Sequence, residues 1–132
     1  MKVAYVDSSC LVAIVASEPG YLDVRARLSK FDKLFSSTLL EAEIRSVVLR
    51  KSITGGLGNV WAWLTWVVPK RRLTREINQV LGAGSPRGSD LWHLASAVFM
   101  RERIGEQVSE LSFLTLDGGQ AEIARSLGFR IL

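Results

Sequence analysis

The sequence predicts an α/β protein, built as a parallel sheet covered by helices on both faces. Three observations carry that expectation. Short apolar runs of strand character alternate with helical patterns along the chain. Two of those runs, "KVAYV" and "SFLTL", stop at an aspartate that is followed by small residues and a helix-like pattern. The composition, 48% hydrophobic and 23% charged, is that of a globular protein and not of a disordered one. A length of 132 residues suits one domain. A domain of this size buries roughly two-thirds of its unfolded surface.

Taken in order, residues 2–6 read as a short buried strand. Ser8 or Ser9 then offers an N-cap for a helix over "CLVAIVA". Glu18-Pro19 opens a second helical stretch, with Tyr21, Val24 and Leu28 on one face. "KLFSS" reads as the next strand, and a helix follows from about Thr38 to Lys51. "ITGGLGN" is a glycine-rich break. "VWAWLTWVV" reads as a helix running into a strand near Val67-Val68. "KRRLTREINQVL" is basic and then helical, and "GAGSPRGSD" is a loop by its Gly, Ser and Pro content. A helix is expected over 90–103, a strand over 111–116, a helix over 119–127 and a last strand at "FRIL".

Net charge is +4 and the isoelectric point is about 9.6, a balance that mildly favours polyanionic partners. The single cysteine, Cys10, sits in an apolar run and reads as a reduced core thiol of a cytoplasmic protein. The longest apolar runs fall well short of the ~20 residues of a membrane span. Asp7 interrupts the first of them, so the start does not read as a signal peptide.

Four carboxylates carry the chemistry. Asp7 and Asp117 stand just past strand ends, where open parallel sheets bind ligands. Taken singly, each is also an ordinary helix cap or turn residue. On the helix "TLLEAEIRSVVLRK", Glu41 has Arg45 at i+4 and reads as exposed and ion-paired. Glu43 has Leu39 at i−4 and Val47 at i+4, inside the apolar stripe. A carboxylate there is paired, neutral, bound to a metal, or reaches water at the stripe's edge. Asp90, near a possible Ser89 cap, suits the helix dipole, but it shares its face with Leu94 and Ala97. Were the four to converge, two carboxylates ~5 Å apart would repel by about 3 kcal/mol at an effective dielectric of 20. Several such pairs raise pKa values or demand a cation. An all-oxygen site suits Mg²⁺ or Mn²⁺, and one Cys and one His give no zinc spacing.

"YVDSS", "LLEAEIR", "SDLWHLASA" and "FLTLD" together resemble the PIN-domain ribonucleases, most of all the VapC-type toxins of toxin–antitoxin pairs. The resemblance implies an α/β/α sandwich with a central, mostly parallel five-stranded sheet, and a single PIN-like nuclease domain over 1–132. By the family pattern Asp7, Glu43, Asp90 and Asp117 match the acidic quartet that binds metal and carries catalysis. Ser9 and Thr115 match the hydroxyl residues beside the first and last acids. The resemblance further implies Mg²⁺- or Mn²⁺-dependent RNA cleavage, a homodimer and a cognate antitoxin as partners.

His93, at i+3 from Asp90, reads as a hydrogen-bond partner of that acid or as packing, and not as a general base. Lys70, Arg71, Arg72 and Arg75 offer phosphate contacts, or form a solvated charged face. Trp61, Trp63 and Trp66 read as core or interface in preference to a base-stacking platform. "TGGLGN" lacks the spacing and the preceding strand of a dinucleotide fingerprint. Two rival functions remain at this point. A receiver-like Mg²⁺-binding phosphorylation switch also uses strand-end aspartates, but it would want paired acids after the first strand, where Ser8-Ser9 stand. A non-catalytic PIN module that binds RNA or a partner has no evident need of the intact quartet.

Overall fold

The fold is that of a computed structural model, which describes residues 1–105 and 110–131. Five strands, β1 (Val3–Val6), β2 (Lys33–Ser37), β3 (Leu64–Val67), β4 (Leu111–Leu114) and β5 (Arg130–Ile131), form one sheet in the order β3-β2-β1-β4-β5. Every neighbouring pair is parallel. Strands that run the same way need crossovers, and among the described residues seven helices supply them: α1 (Ser8–Val15), α2 (Tyr21–Leu28), α3 (Leu39–Arg50), α4 (Leu57–Ala62), α5 (Thr74–Leu81), α6 (Gly88–Ile104) and α7 (Gly118–Ser126).

Alternation along β1 shows how the layers form. Val3 and Tyr5 point to one face, where they join Val80, Leu94, Val98, Phe113 and Ala124 in a core under α5, α6 and α7. Ala4 and Val6 point to the other, with Cys10, Leu11, Val24, Leu40, Ile44 and Val60 under α1 to α4. A central strand buried on both faces must be apolar throughout, and β1 is. The expected α/β/α sandwich is therefore what the chain adopts. Cys10 lies in the second core, where burial pushes its thiol up to about 12.

Element boundaries differ from the sequence expectations at instructive places. The helix-and-strand segment around the tryptophans turns over earlier: β3 ends at Val67, and the glycine-rich stretch is already helical from Leu57, after Gly56 takes a left-handed φ of 81°. Helix α1 is capped by Asp7, not by Ser8 or Ser9, and Ser89 lies inside α6, whose N-cap is Arg87. Strand β4 stops at Leu114 instead of 116, because Thr115 leaves the ladder to bond side chains. Of the expected strand "FRIL", Arg130–Ile131 is a strand, and Leu132 lies outside the described residues.

Three tryptophans pack as edge-of-core residues on the α1–α4 face. Trp61 and Trp66 meet with ring centroids 5.9 Å apart, and Arg45 and Arg25 lie over Trp61 and Trp63 at 5.5 and 5.8 Å. Among the described residues no helix is long and apolar enough to cross a membrane.

Candidate active site

The strand order fixes where a ligand can sit. The chain winds outward from β1 to β2 and β3, then returns beside β1 as β4 and continues to β5. The order therefore reverses between β1 and β4, and their carboxyl ends open a crevice. Asp7 follows β1 and Asp117 follows β4, one on each side of that crevice. The Asp7 N–H bonds the Leu114 carbonyl at 3.1 Å and ties the two strand ends together.

Asp7 is buried to 3% exposure and both of its oxygens are held. Ser9 donates to Oδ1 from its backbone N–H at 3.1 Å and from its hydroxyl at 2.6 Å. Thr115 Oγ1 donates to Oδ2 at 2.5 Å. Burial pushes the Asp7 carboxyl above its ordinary range, and the Ser9 and Thr115 donors work against that shift. Ser9 and Thr115 thus touch the acid that the sequence pattern assigns to them. Thr115 also accepts the Asp117 N–H at 3.0 Å, so one hydroxyl sets the chain direction at both strand-end acids.

Asp117 caps α7 by accepting the Gln120 N–H at 2.9 Å, and its side chain is exposed. Gln120 is buried and places Oε1 3.1 Å from Thr115 Oγ1, while its Nε2 donates to the Asp90 carbonyl at 3.4 Å. It pins the start of α6 to the start of α7, a role with no signal in the sequence beyond its i+3 spacing from Asp117. Asp90 is half-buried at that start. Burial pushes its carboxyl up, and the neighbouring charges of Asp117 and Glu43 push it the same way.

Glu43 extends from α3 toward the same crevice. Ser8 Oγ donates to its Oε2 at 3.1 Å, and His93 Nε2 meets its Oε1 at 2.6 Å. Here the sequence expectation needs correction: His93 bonds Glu43, not Asp90. The imidazole leaves its own helix turn because Tyr5 OH, 2.7 Å from Nδ1, holds its inner side. Glu41, two residues away, points outward and pairs with Arg45 at 2.7 Å.

The basic run is split by two acids that sequence reasoning did not single out. Glu76 is fully buried, takes a two-pronged bond from Arg71 at 2.6 and 3.0 Å, and has Arg75 at 3.7 Å. Those Arg71 bonds hold its carboxyl down to about 2 against the opposing effect of burial. Arg75 also pairs with Glu102 at 2.5 Å. Lys70 and Arg72 are exposed and, among the described residues, have no carboxylate partner. Of the four expected phosphate contacts, Arg71 and Arg75 are thus engaged with acids, and Lys70 and Arg72 carry the charge left without one among the described residues. Replacing both with Ala is expected to flatten the salt dependence of RNA binding by about two units of slope, one per contact. An unchanged slope, measured by titration at several salt concentrations, returns them to solvated surface.

Among the described residues no three His, Cys, Asp or Glu side chains stand close enough together to hold a metal ion. The donor chemistry nevertheless fits a hard dication. The acids around the crevice are all carboxylates, and the charges of Asp117 and Glu43 that push Asp90 up are what a cation relieves.

The chain matches the PIN domain family model over residues 4–127. It belongs to the PIN-domain family. PIN domains are a nuclease-type fold whose members generally use divalent metals such as Mg²⁺ and bind RNA. No curated protein matches this PIN chain.

Proposed function

We propose that this PIN domain is a metal-dependent endoribonuclease, and that its setting is the toxin half of a toxin–antitoxin pair. The observation that supports the nuclease reading is that Asp7 and Asp117 end the two strands of the β1/β4 switch point in a PIN sheet, with Asp117 and Glu43 near enough to Asp90 for their charges to act on it. Asp7, Asp90 and Asp117, with Glu43, would hold Mg²⁺ or Mn²⁺. When bound, such a cation lowers the pKa of a water molecule and neutralises charge at the phosphodiester.

The remaining work falls to the chain itself. Ser9 and Thr115 aim Asp7 and favour its ionised form against burial, which favours the neutral acid. Ser8 and His93 hold the two Glu43 oxygens. Gln120 fixes Asp90 against the turn that carries Asp117. Lys70 and Arg72, beyond the carboxyl end of β3, supply positive charge on the same edge of the sheet.

Purified protein is expected to cut single-stranded RNA with Mg²⁺ or Mn²⁺ and to stop in excess EDTA. Equal cleavage in EDTA contradicts the mechanism. The toxin setting has its own test: induced expression is expected to arrest growth, with relief by co-expression of the adjacent small reading frame. Active nuclease without effect on growth of its native host removes the toxin reading alone. A binding-only PIN module is the second reading. One observation favours it: among the described residues no three acids lie within joint ligating reach. RNA binding without metal-dependent cleavage would establish it.

A further inference from the structure

Behind Glu43 lies a line of buried polar groups that the acidic quartet does not explain. It runs through four elements. The Ser37 N–H at the end of β2 donates to Tyr5 OH at 3.1 Å. Tyr5, in β1, meets His93 Nδ1 on α6 at 2.7 Å. His93 Nε2 meets Glu43 Oε1 on α3 at 2.6 Å. Tyr5 and His93 are 0% and 1% exposed, so water does not compete for these groups. Phe113 stacks on the Tyr5 ring at 5.4 Å, and the His93 ring meets it edge-on at 5.8 Å, which fixes both rings in place.

The donors and acceptors allow one arrangement of a neutral imidazole. A carboxylate only accepts hydrogen bonds, so the His93 proton sits on Nε2 and is donated to Glu43. Nδ1 is then an acceptor and takes the Tyr5 O–H. The Tyr5 oxygen keeps a lone pair for the Ser37 N–H. Burial pushes the Tyr5 phenol well above its ordinary value, so it remains a proton donor. The main chain of β2 thereby sets the tyrosine, the tyrosine sets the imidazole, and the imidazole sets the carboxylate. Ser8 holds the other Glu43 oxygen from the start of α1.

We propose that Tyr5 and His93 are positioning residues: together they form a relay from the sheet interior in which Tyr5 holds the His93 ring through Nδ1 and the ring's Nε2–H aims Glu43 into the crevice. The relay rests on the nuclease reading for its purpose, but not for its existence. Neither residue touches substrate in this role. Its effect on the reaction is to remove the rotational freedom that the single bond from Ser8 leaves to the Glu43 carboxylate.

His93 is the only histidine in the sequence, so imidazole nitrogen NMR reports on it without overlap. Spectra of metal-free protein, taken where the imidazole is neutral, are expected to show a single tautomer protonated at Nε2. Tyr5→Phe is expected to keep that tautomer, which Glu43 selects, but to shift the Nδ1 resonance, because Nδ1 loses the Tyr5 O–H donor. An Nδ1–H tautomer in the wild type, or a Tyr5→Phe spectrum identical to wild type, overturns the relay. In single-turnover RNA cleavage, His93→Leu is expected to lose about 10- to 100-fold in kcat with little change in KM. His93→Gln keeps an amide donor near the Nε2 position and is expected to recover most of that loss. Equal losses in the two variants overturn the positioning role, since a merely structural residue would not distinguish them. If Nε2–H and the Tyr5-dependent Nδ1 shift are seen while wild-type protein cuts no RNA, the nuclease reading fails and the relay stands.

Discussion

Glu43→Gln is expected to reduce single-turnover RNA cleavage by about two orders of magnitude or more, while Glu41→Gln stays near wild type. The two glutamates sit two residues apart on α3, about 200° around a helix of 3.6 residues per turn. Only one can face the crevice, and the bonds to Ser8 and His93 show that it is Glu43. Glutamine at 43 keeps the size and an acceptor for His93 but removes the charge. Asp90 loses one of the like charges that press on it, so metal-free melting is expected to hold or to rise slightly. Glutamine at 41 breaks only the exposed bond to Arg45, worth well under ~1 kcal/mol. A dead Glu41→Gln and an active Glu43→Gln would reverse the assignment.

Arg71→Ala is expected to reduce the folded-to-unfolded ratio by about tenfold or more, and Glu76→Gln by less. The asymmetry follows from burial. Removing Arg71 leaves the Glu76 carboxylate inside the protein with Arg75 at 3.7 Å as its remaining partner. Removing the Glu76 charge leaves Arg71, whose side chain is 49% exposed and reaches water. Acid should separate the two proteins as well. Glu76 has a lower pKa folded than unfolded, so its contribution is complete above about 4.5 and fades as pH falls toward about 2. Urea midpoints measured across that window are expected to fall more steeply for wild type than for Glu76→Gln. Parallel pH dependences would contradict the pairing.

How much of this was legible in the sequence depends on the range of the interaction. Strands that are apolar on both faces announce themselves, so β1 and β4 and the helices after them could be read from local pattern. The acids at their ends were legible for the same reason: an aspartate that stops a buried strand is a local event. Glu43 was legible against Glu41 because helical spacing puts one in the stripe and the other beside Arg45. The Tyr5–His93–Glu43 line was not. Its members are separated by 88 and 50 residues, and no periodicity couples them. The i+3 relation between Asp90 and His93 suggested a nearer partner, and tertiary packing of α6 on β1 overrode it. Glu76 was hidden in a similar way. It sits in the basic run as one more charge, and its burial follows only from how α5 packs against α6. The Trp-rich segment misled on boundaries because Trp and Leu satisfy a short helix and an edge strand equally well.

Manganese binding followed by electron paramagnetic resonance tests the central claim most directly, because it asks the crevice for a cation without asking for catalysis. Titrating Mn²⁺ into the metal-free protein, into Asp7→Asn and Asp90→Asn, and into Glu41→Gln as a control, separates a built site from scattered surface acids. The expected result is saturable binding by wild type that weakens strongly in both variants and survives Glu41→Gln. Wild-type protein that leaves Mn²⁺ free in solution, or binding that all variants share, would contradict it.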